Sequence, residues 1–220
     1  MLLKEIKLQT KLLSSLYSFY SKVLELHVIY SGGKSISIVA GQSNLIFTEA
    51  DDESDPFYHF AFNIPANQFN EACDWANAHL TLLSVKDDIT IADFASWNAK
   101  AFYFYDNNQN IVEFIARFDL SNDSTKPFDG SSICSISEMG LVADNATLLC
   151  KQLMNDYNLN YFSKQAPQED FIALGDDNGL FIIVSEKRKW YPTGQLSGQY
   201  DSTIKFSHAG RVHVLEMKGS

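Results

Sequence analysis

Polar and apolar residues alternate from the start of the chain. Glu5, Lys7 and Gln9 fall on one face of a strand, and Ile6 and Leu8 on the other. The spacing then changes to threes and fours. Leu12, Leu13, Leu16, Phe19, Tyr20, Val23 and Leu24 predict a helix with one apolar face. Short strands are predicted at residues 27–30, 35–40 and 45–47, separated by turns at Gly32-Gly33 and at 41–44. The order is strand, helix, three strands.

The same order returns twice. After an acidic loop at 51–56, a strand is predicted at 58–64 and a helix at 67–79. A strand, or the approach to one, follows at 82–85, then strands at 101–105 and 111–116 around a turn at 106–110. Residues 118–132 are polar and read as a linker. The third round predicts a strand at 138–143, a helix at 146–157, strands at 171–174 and 180–184, and a closing hairpin of 203–207 with 211–215. The first strands read EIKLQT from Glu5, HFAFNI from His59 and EMGLVA from Glu138, each opened by a titratable residue. Such self-similarity marks stacked units, each needing a neighbour to bury its open face.

The stretches HFAFNIP, FNEACDWANAH and AFYFYDNNQNIVEFIAR resemble the vicinal-oxygen-chelate superfamily, which includes glyoxalase I, extradiol dioxygenases, and fosfomycin- and bleomycin-resistance proteins. FYSKVLEL and ISEMGLVAD are similar to its other recurring phrases. The resemblance is best over residues 3–117 and weaker over 133–216. It implies an α+β fold of three βαβββ units. The first two, within 1–117, are expected to pair into an incomplete barrel around a cleft. Residues 118–132 link them to an extra half-module at 133–220.

Alternation adds a physical argument for a site. His59, Ala61 and Asn63 share the face opposite Phe60, Phe62 and Ile64. The apolar face suits packing under a helix, which leaves the polar face to line a pocket. Glu113 lies among Ile111, Val112, Phe114 and Ile115, so both faces of its strand are otherwise apolar. A carboxylate buried there needs a metal, a cation or a proton.

The resemblance implies that His59 and Glu113 are metal ligands and that Glu5 is a third. Phe47 stands where a fourth would be, so the ligand set is one imidazole and two carboxylates. That set suits Mn²⁺, Fe²⁺, Ni²⁺ or Zn²⁺ with open positions for substrate, and departs from the two-His-one-carboxylate set of iron dioxygenases. Glu113 or Glu5 is expected to alternate between ligand and general base, with Tyr103 contacting substrate. The implied activity is a metal-dependent lyase, isomerase or dioxygenase acting on a small oxygenated substrate. The alternative is a metal-free, small-molecule binding protein of the bleomycin-resistance type, with sixteen Phe, ten Tyr and three Trp to furnish an aromatic cleft.

The residues alone leave other readings open. His59 is also a candidate hydrogen-bonded core histidine. Glu113 also suits a buried pair with Lys7 or a tyrosine, and Glu5 a solvated face. Glu138 opens the third unit's strand, but its matching last-strand position falls on Ile182, which argues against a second metal site there. Lys187, Arg188 and Lys189 form a basic island read as a surface loop, with an anion contact as the alternative.

Composition narrows the remaining classes. Seventeen basic residues against twenty-seven acidic ones give a net charge of −10, which disfavours nonspecific nucleic-acid binding. Three scattered cysteines, Cys73, Cys134 and Cys150, argue against a disulfide framework or structural zinc. MLLKEIKLQT lacks a long apolar run, so no targeting segment or membrane contact is expected and the chain reads as cytoplasmic. The third unit, with no fourth unit to cover it, is expected to join two chains into a homodimer through residues 133–220.

Overall fold

A computed structural model describes residues 1–50 and 55–219. The acidic loop expected at 51–56 therefore lies outside the described residues except for Asp55 and Pro56. The first unit comprises β1 (Leu2–Thr10), α1 (Leu13–Ser18) continued by a π-helical turn over Phe19–Val23, and strands β2 (His27–Ser31), β3 (Ser35–Ala40) and β4 (Ser43–Glu49). The second comprises β5 (His59–Asn63), α2 (Phe69–His79), β6 (Ile91–Phe94), β7 (Ala99–Tyr105) and β8 (Ile111–Arg117). The third has β9 (Ser135–Ala143), α3 (Ala146–Tyr157), β10 (Phe171–Asp176) and β11 (Gly179–Ser185). A hairpin of β12 (Ser202–His208) and β13 (Arg211–Met217) ends the described chain. Among the described residues no helix is long and apolar enough to cross a membrane.

Local chemistry explains these elements. The α3 helix starts where the Asn145 side chain accepts from the Leu148 amide at 2.9 Å, and it ends at Asn158 in the left-handed region. Its buried residues, Ala146, Cys150 and Leu153, recur at helical spacing. In α2 the buried set is Phe69, Ala72, Cys73 and Ala76. Both helices cover one face of the sheet, where Phe60, Phe62, Phe102, Phe104 and Phe114 form the centre of the main core.

Each unit closes on itself in the same way. Its first strand runs parallel to its last: β1 beside β4, β5 beside β8, β9 beside β11. The mixed α+β class, the βαβββ order of units one and two and the open curvature of the sheet are as the sequence implies, while the third unit has two strands, β10 and β11, between its helix and the hairpin. The partnership between units is different. The strand order is β2-β3-β4-β1-β9-β5-β8-β7-β6, so β9 lies between the first strands of units one and two. It pairs antiparallel with β5, matching Phe60 to Met139 and Ala61 to Glu138, whereas its ladder to β1 is the single match of Leu3 with Ile136. The expected pairing of units one and two is thus replaced by a pairing of units two and three. The physical reason lies at the other end of the chain. Strand β12 takes the edge of β1 from Leu2 to Leu8, leaving β5 to β9. The open edge that motivated a dimer through residues 133–220 is filled by β5 inside the chain.

Units one and two still meet, through side chains of the turn at 106–110. Asp106 accepts from the Tyr20 hydroxyl at 2.9 Å, the Asn108 and Asn110 amides at 2.8 and 3.0 Å, and the Asn110 side chain at 2.8 Å. Asn108 accepts from Thr10 at 2.8 Å and donates to the Pro56 carbonyl at 2.7 Å.

Two outcomes follow from this arrangement. Residues 1–130 expressed alone lose β9, uncover β5, and should show no cooperative thermal transition by circular dichroism; a sharp transition would contradict the pairing. The second concerns Asp106. Burial pushes its carboxyl from 3.8 up to about 6 against the pull of its four donors. The folded chain therefore holds that proton more tightly than the unfolded chain. The group's contribution to stability is complete below pH ~4 and is lost as pH rises through about 6. A shift of that size is on the order of 2–3 kcal/mol. In urea titrations, Asp106→Asn should gain on the native protein by about that amount between pH ~4 and ~7, and a constant gap would rule the assignment out.

Candidate metal centre

The face of the central strands turned away from the helices carries the polar residues. On β5 these are His59 and Asn63, with Ala61 between them. Parallel pairing sets Glu113 of β8 beside Ala61, and antiparallel pairing sets Glu138 of β9 on the other side of Ala61. The methyl group of Ala61 leaves the space between the two carboxylates open. His59 stands next along β5 on the same face. Ligating atoms of His59, Glu113 and Glu138 all lie within 4.8 Å of one another, and all three residues are buried. Tyr103 pairs with Glu113 from β7, and its hydroxyl reaches that carboxyl.

Glu5 stands outside this group. Its neighbours are Asn44 on β4 and Lys205 on β12, in the half of the sheet that β9 separates from β5. Glu138 takes the third place expected of Glu5. The position two residues along β9 is Gly140, paired with Ile182 on β11, so the fourth place is apolar. An alanine at Gly140 would bring its Cβ within 2.7 Å of the Trp190 ring and 3.0 Å of the His59 carbonyl oxygen. Its absence lets Trp190 lie over the strands, 5.1 Å from the His59 ring between centroids.

Hydrogen bonding fixes the state of His59. Its Nδ1 is 3.0 Å from the Ile111 carbonyl oxygen, which only accepts, so Nδ1 carries the proton. Burial lowers the imidazole to about 4, partly opposed by that bond, and keeps the ring neutral at ordinary pH. The Nε2 lone pair then faces Glu113 Oε2 at 3.7 Å. Burial raises Glu113 well above the usual carboxylate range. The Glu138 charge adds to this, and Arg117 and Tyr103 oppose it. Glu138 is raised by burial and pulled back by Arg117.

Arg117 was not singled out by the sequence. It is the last residue of β8 and is completely buried. Its Nη2 bonds Glu138 Oε1, its Nε donates to Ser137 Oγ at 3.2 Å, and its Nη1 lies 3.6 Å from Asp177. The guanidinium lies 5.3 Å from the Trp97 ring centre and 5.7 Å from that of Phe162. Lys164 in turn bridges Asp177 and Asp119 at 2.8 and 2.7 Å.

His59, Tyr103, Glu113 and Glu138 floor a cavity of about 270 Å³ walled by Phe94, Trp97, Phe171, Trp190 and Tyr191, with Gln165, Gln168 and Arg188 among the polar lining. A larger hollow of about 730 Å³ beside Asn67, Lys100 and Asp123 is more open. Among the described residues its lining forms no such ligating group.

The donor set fits a divalent ion. Imidazole nitrogen and carboxylate oxygens bind such ions at about 2.0–2.2 Å, so only a small closure would bring all three into one sphere. The second nitrogen of His59 is already fixed by a carbonyl, as is usual for a ligating histidine. The facing lone pairs of Nε2 and Oε2 ask for a cation or a proton between them.

Comparison with solved structures supports the fold. A Bacillus subtilis subsp. subtilis str. 168 protein described as an inferred dioxygenase matches with a TM-score of 0.61 and 10% identity, over 98% of this chain and 84% of its own. A V278E glyoxalase I mutant from Zea mays matches with a TM-score of 0.55 and 12% identity, over 89% of this chain and 70% of its own. At such identities the likeness is one of fold alone. No protein-family model and no curated protein matches the sequence.

Were an ion held by His59, Glu113 and Glu138, each of the three would matter. His59→Ala, Glu113→Ala and Glu138→Ala are each expected to weaken Co²⁺ binding by at least about tenfold in calorimetric titration, given that losing even an outer partner commonly costs that much. Glu5→Ala should bind as the native chain does. Loss of binding in Glu5→Ala alone would overturn the ligand set.

Proposed function

We propose that the chain is a metal-dependent lyase or isomerase acting on a small oxygenated substrate in the cleft between units two and three. The observation that carries this reading is the convergence of His59 Nε2 with the carboxylates of Glu113 and Glu138 at the floor of an aromatic cavity. A divalent ion held there supplies Lewis-acid polarisation of substrate oxygens. Glu113 is the group for proton transfer. Its carboxylate lies beside the substrate space and alternates between holding the ion and taking a proton, and Tyr103 holds it by hydrogen bonding. With its one proton directed to Glu113, the Tyr103 oxygen is placed to accept from a substrate hydroxyl beside it. Trp190 and Tyr191 cover the site and restrict water, with Tyr191 5.6 Å from Tyr103 between ring centres. One histidine and two carboxylates favour proton-transfer chemistry over the oxygen chemistry of a two-histidine iron site.

One observation favours the second reading, a metal-free binding protein. Arg117 already neutralises Glu138, and Tyr103 reaches Glu113, so the acids have protein partners. Elemental analysis separates the two. Protein purified without chelator or nickel resin should carry about one transition-metal ion per chain, and metal-free protein that also fails to take up Mn²⁺, Co²⁺ or Zn²⁺ would leave only the binding role.

A further inference from the structure

A second hollow, of about 420 Å³, lies at the end of β5 opposite His59 and shares no lining residue with the cavity over the metal centre. Its volume falls within the roughly 300–1,000 Å³ of small-molecule sites. Asn63, the last residue of β5, lines it together with Ser135, the first of β9, and both are buried. The Asn63 Nδ2 donates to Ser135 Oγ at 3.4 Å, while its Oδ1 is buried with no hydrogen-bond partner. A buried amide oxygen left unpaired costs stability and calls for a donor. Turned over, the amide would leave its Nδ2 unpaired instead. A hydroxyl both donates and accepts, so it serves either end.

The walls are already built. Asn122 accepts from the Ala66 amide at 3.1 Å and donates to the Ile64 carbonyl at 3.0 Å, which fixes its side chain. Gly41 has φ +59°, and an added Cβ would collide with the Cys134 carbonyl, so this turn lies close against the start of β9. There the Gln42 amide donates to that carbonyl at 2.8 Å. Among the described residues, the side chains of Gln42 and Ser207 are free of protein partners and face a ligand with their own polar groups. The Met1 ammonium is bound to Asp176, and the His208 Nε2 faces the Asn158 carbonyl at 3.1 Å. Among the described residues that line the hollow there is no Asp, Glu, Lys or Arg, and no Phe, Tyr or Trp. An anion or cation would find no side-chain counter-ion there, and a flat ring nothing to stack on.

We propose that this hollow is a second binding site, for a small neutral polyol that sets a hydroxyl on the Asn63 amide. The site does not depend on the metal reading given above. Its ligand bridges the ends of β5 and β9, the two strands that carry His59 and Glu138.

The test titrates the ¹⁵N-labelled full chain with xylitol and, separately, with its carboxylate counterpart xylonate, followed by two-dimensional NMR. Xylitol should shift the backbone amides of Ser135 and Asn122 and the side-chain amide of Asn63, and the shifts should saturate. Xylonate should bind at least about tenfold more weakly, having no counter-ion. Asn63→Leu removes one hydrogen bond and should raise the xylitol Kd about tenfold, read from Ser135 and Asn122. Should Asn63→Leu fail to fold, Gln42→Ala combined with Ser207→Ala serves instead and must weaken xylitol as well. Shifts that grow without saturating, as in a hollow that holds water only, overturn the proposal. So does a xylitol affinity that the folded variant leaves unchanged. Xylonate binding as tightly as xylitol overturns the neutral class of ligand.

Discussion

The antiparallel pairing of β5 with β9 is the constraint on which the rest depends. It joins residues far apart in sequence, Ala61 and Glu138, and brings a third potential metal-binding side chain to His59 and Glu113. The pairing needs β12 as well, since β12 holds the edge of β1 along most of its length. The terminal hairpin therefore decides, from the opposite half of the sheet, which first strands meet at the site. Small residues complete the design. Ala61 separates the two acids, and Gly140 makes room for the ring of Trp190.

The acids are held at a cost. Two buried carboxylates beside a neutral imidazole would repel and lose hydration, and Arg117 offsets part of this. Its own burial is supported by Ser137, Asp177 and the rings of Trp97 and Phe162. Stability and chemistry thus share one network. The residues that stop the floor of the cavity from flying apart also hold the Glu138 carboxylate in its place beneath the cavity.

Much of this was legible in the sequence, because alternation and helical spacing are local. The faces of HFAFN, the span of α3 and the burial of Glu113 all followed from residue order. The strand β6 was missed: Ile91–Phe94 is short, and residues 82–85 looked a better candidate, though only Leu82 makes a bridge, to Phe104. The choice of partner strand was not legible, because three similar first strands offer similar edges and only the whole sheet decides between them. That is why Glu5 was favoured over Glu138. A signal was present, since EMGLVA and HFAFNI align with Glu138 in the place of His59. Arg117 gave no signal, as a cation at the end of an apolar strand ordinarily marks the return to solvent.

The site's location within the sheet has a consequence for how it opens. Strands β5 and β8 are buried along their full length, and β9 along most of its own. Such central strands are the last to come apart, so their amide protons should exchange with solvent only through global unfolding. The roof is different in kind. Tyr191 is 45% exposed and belongs to the irregular stretch between β11 and β12. Entry and exit are then matters for that stretch and for the segment before β10 that carries Gln165 and Gln168, while the floor stays rigid on the timescale of the fold itself.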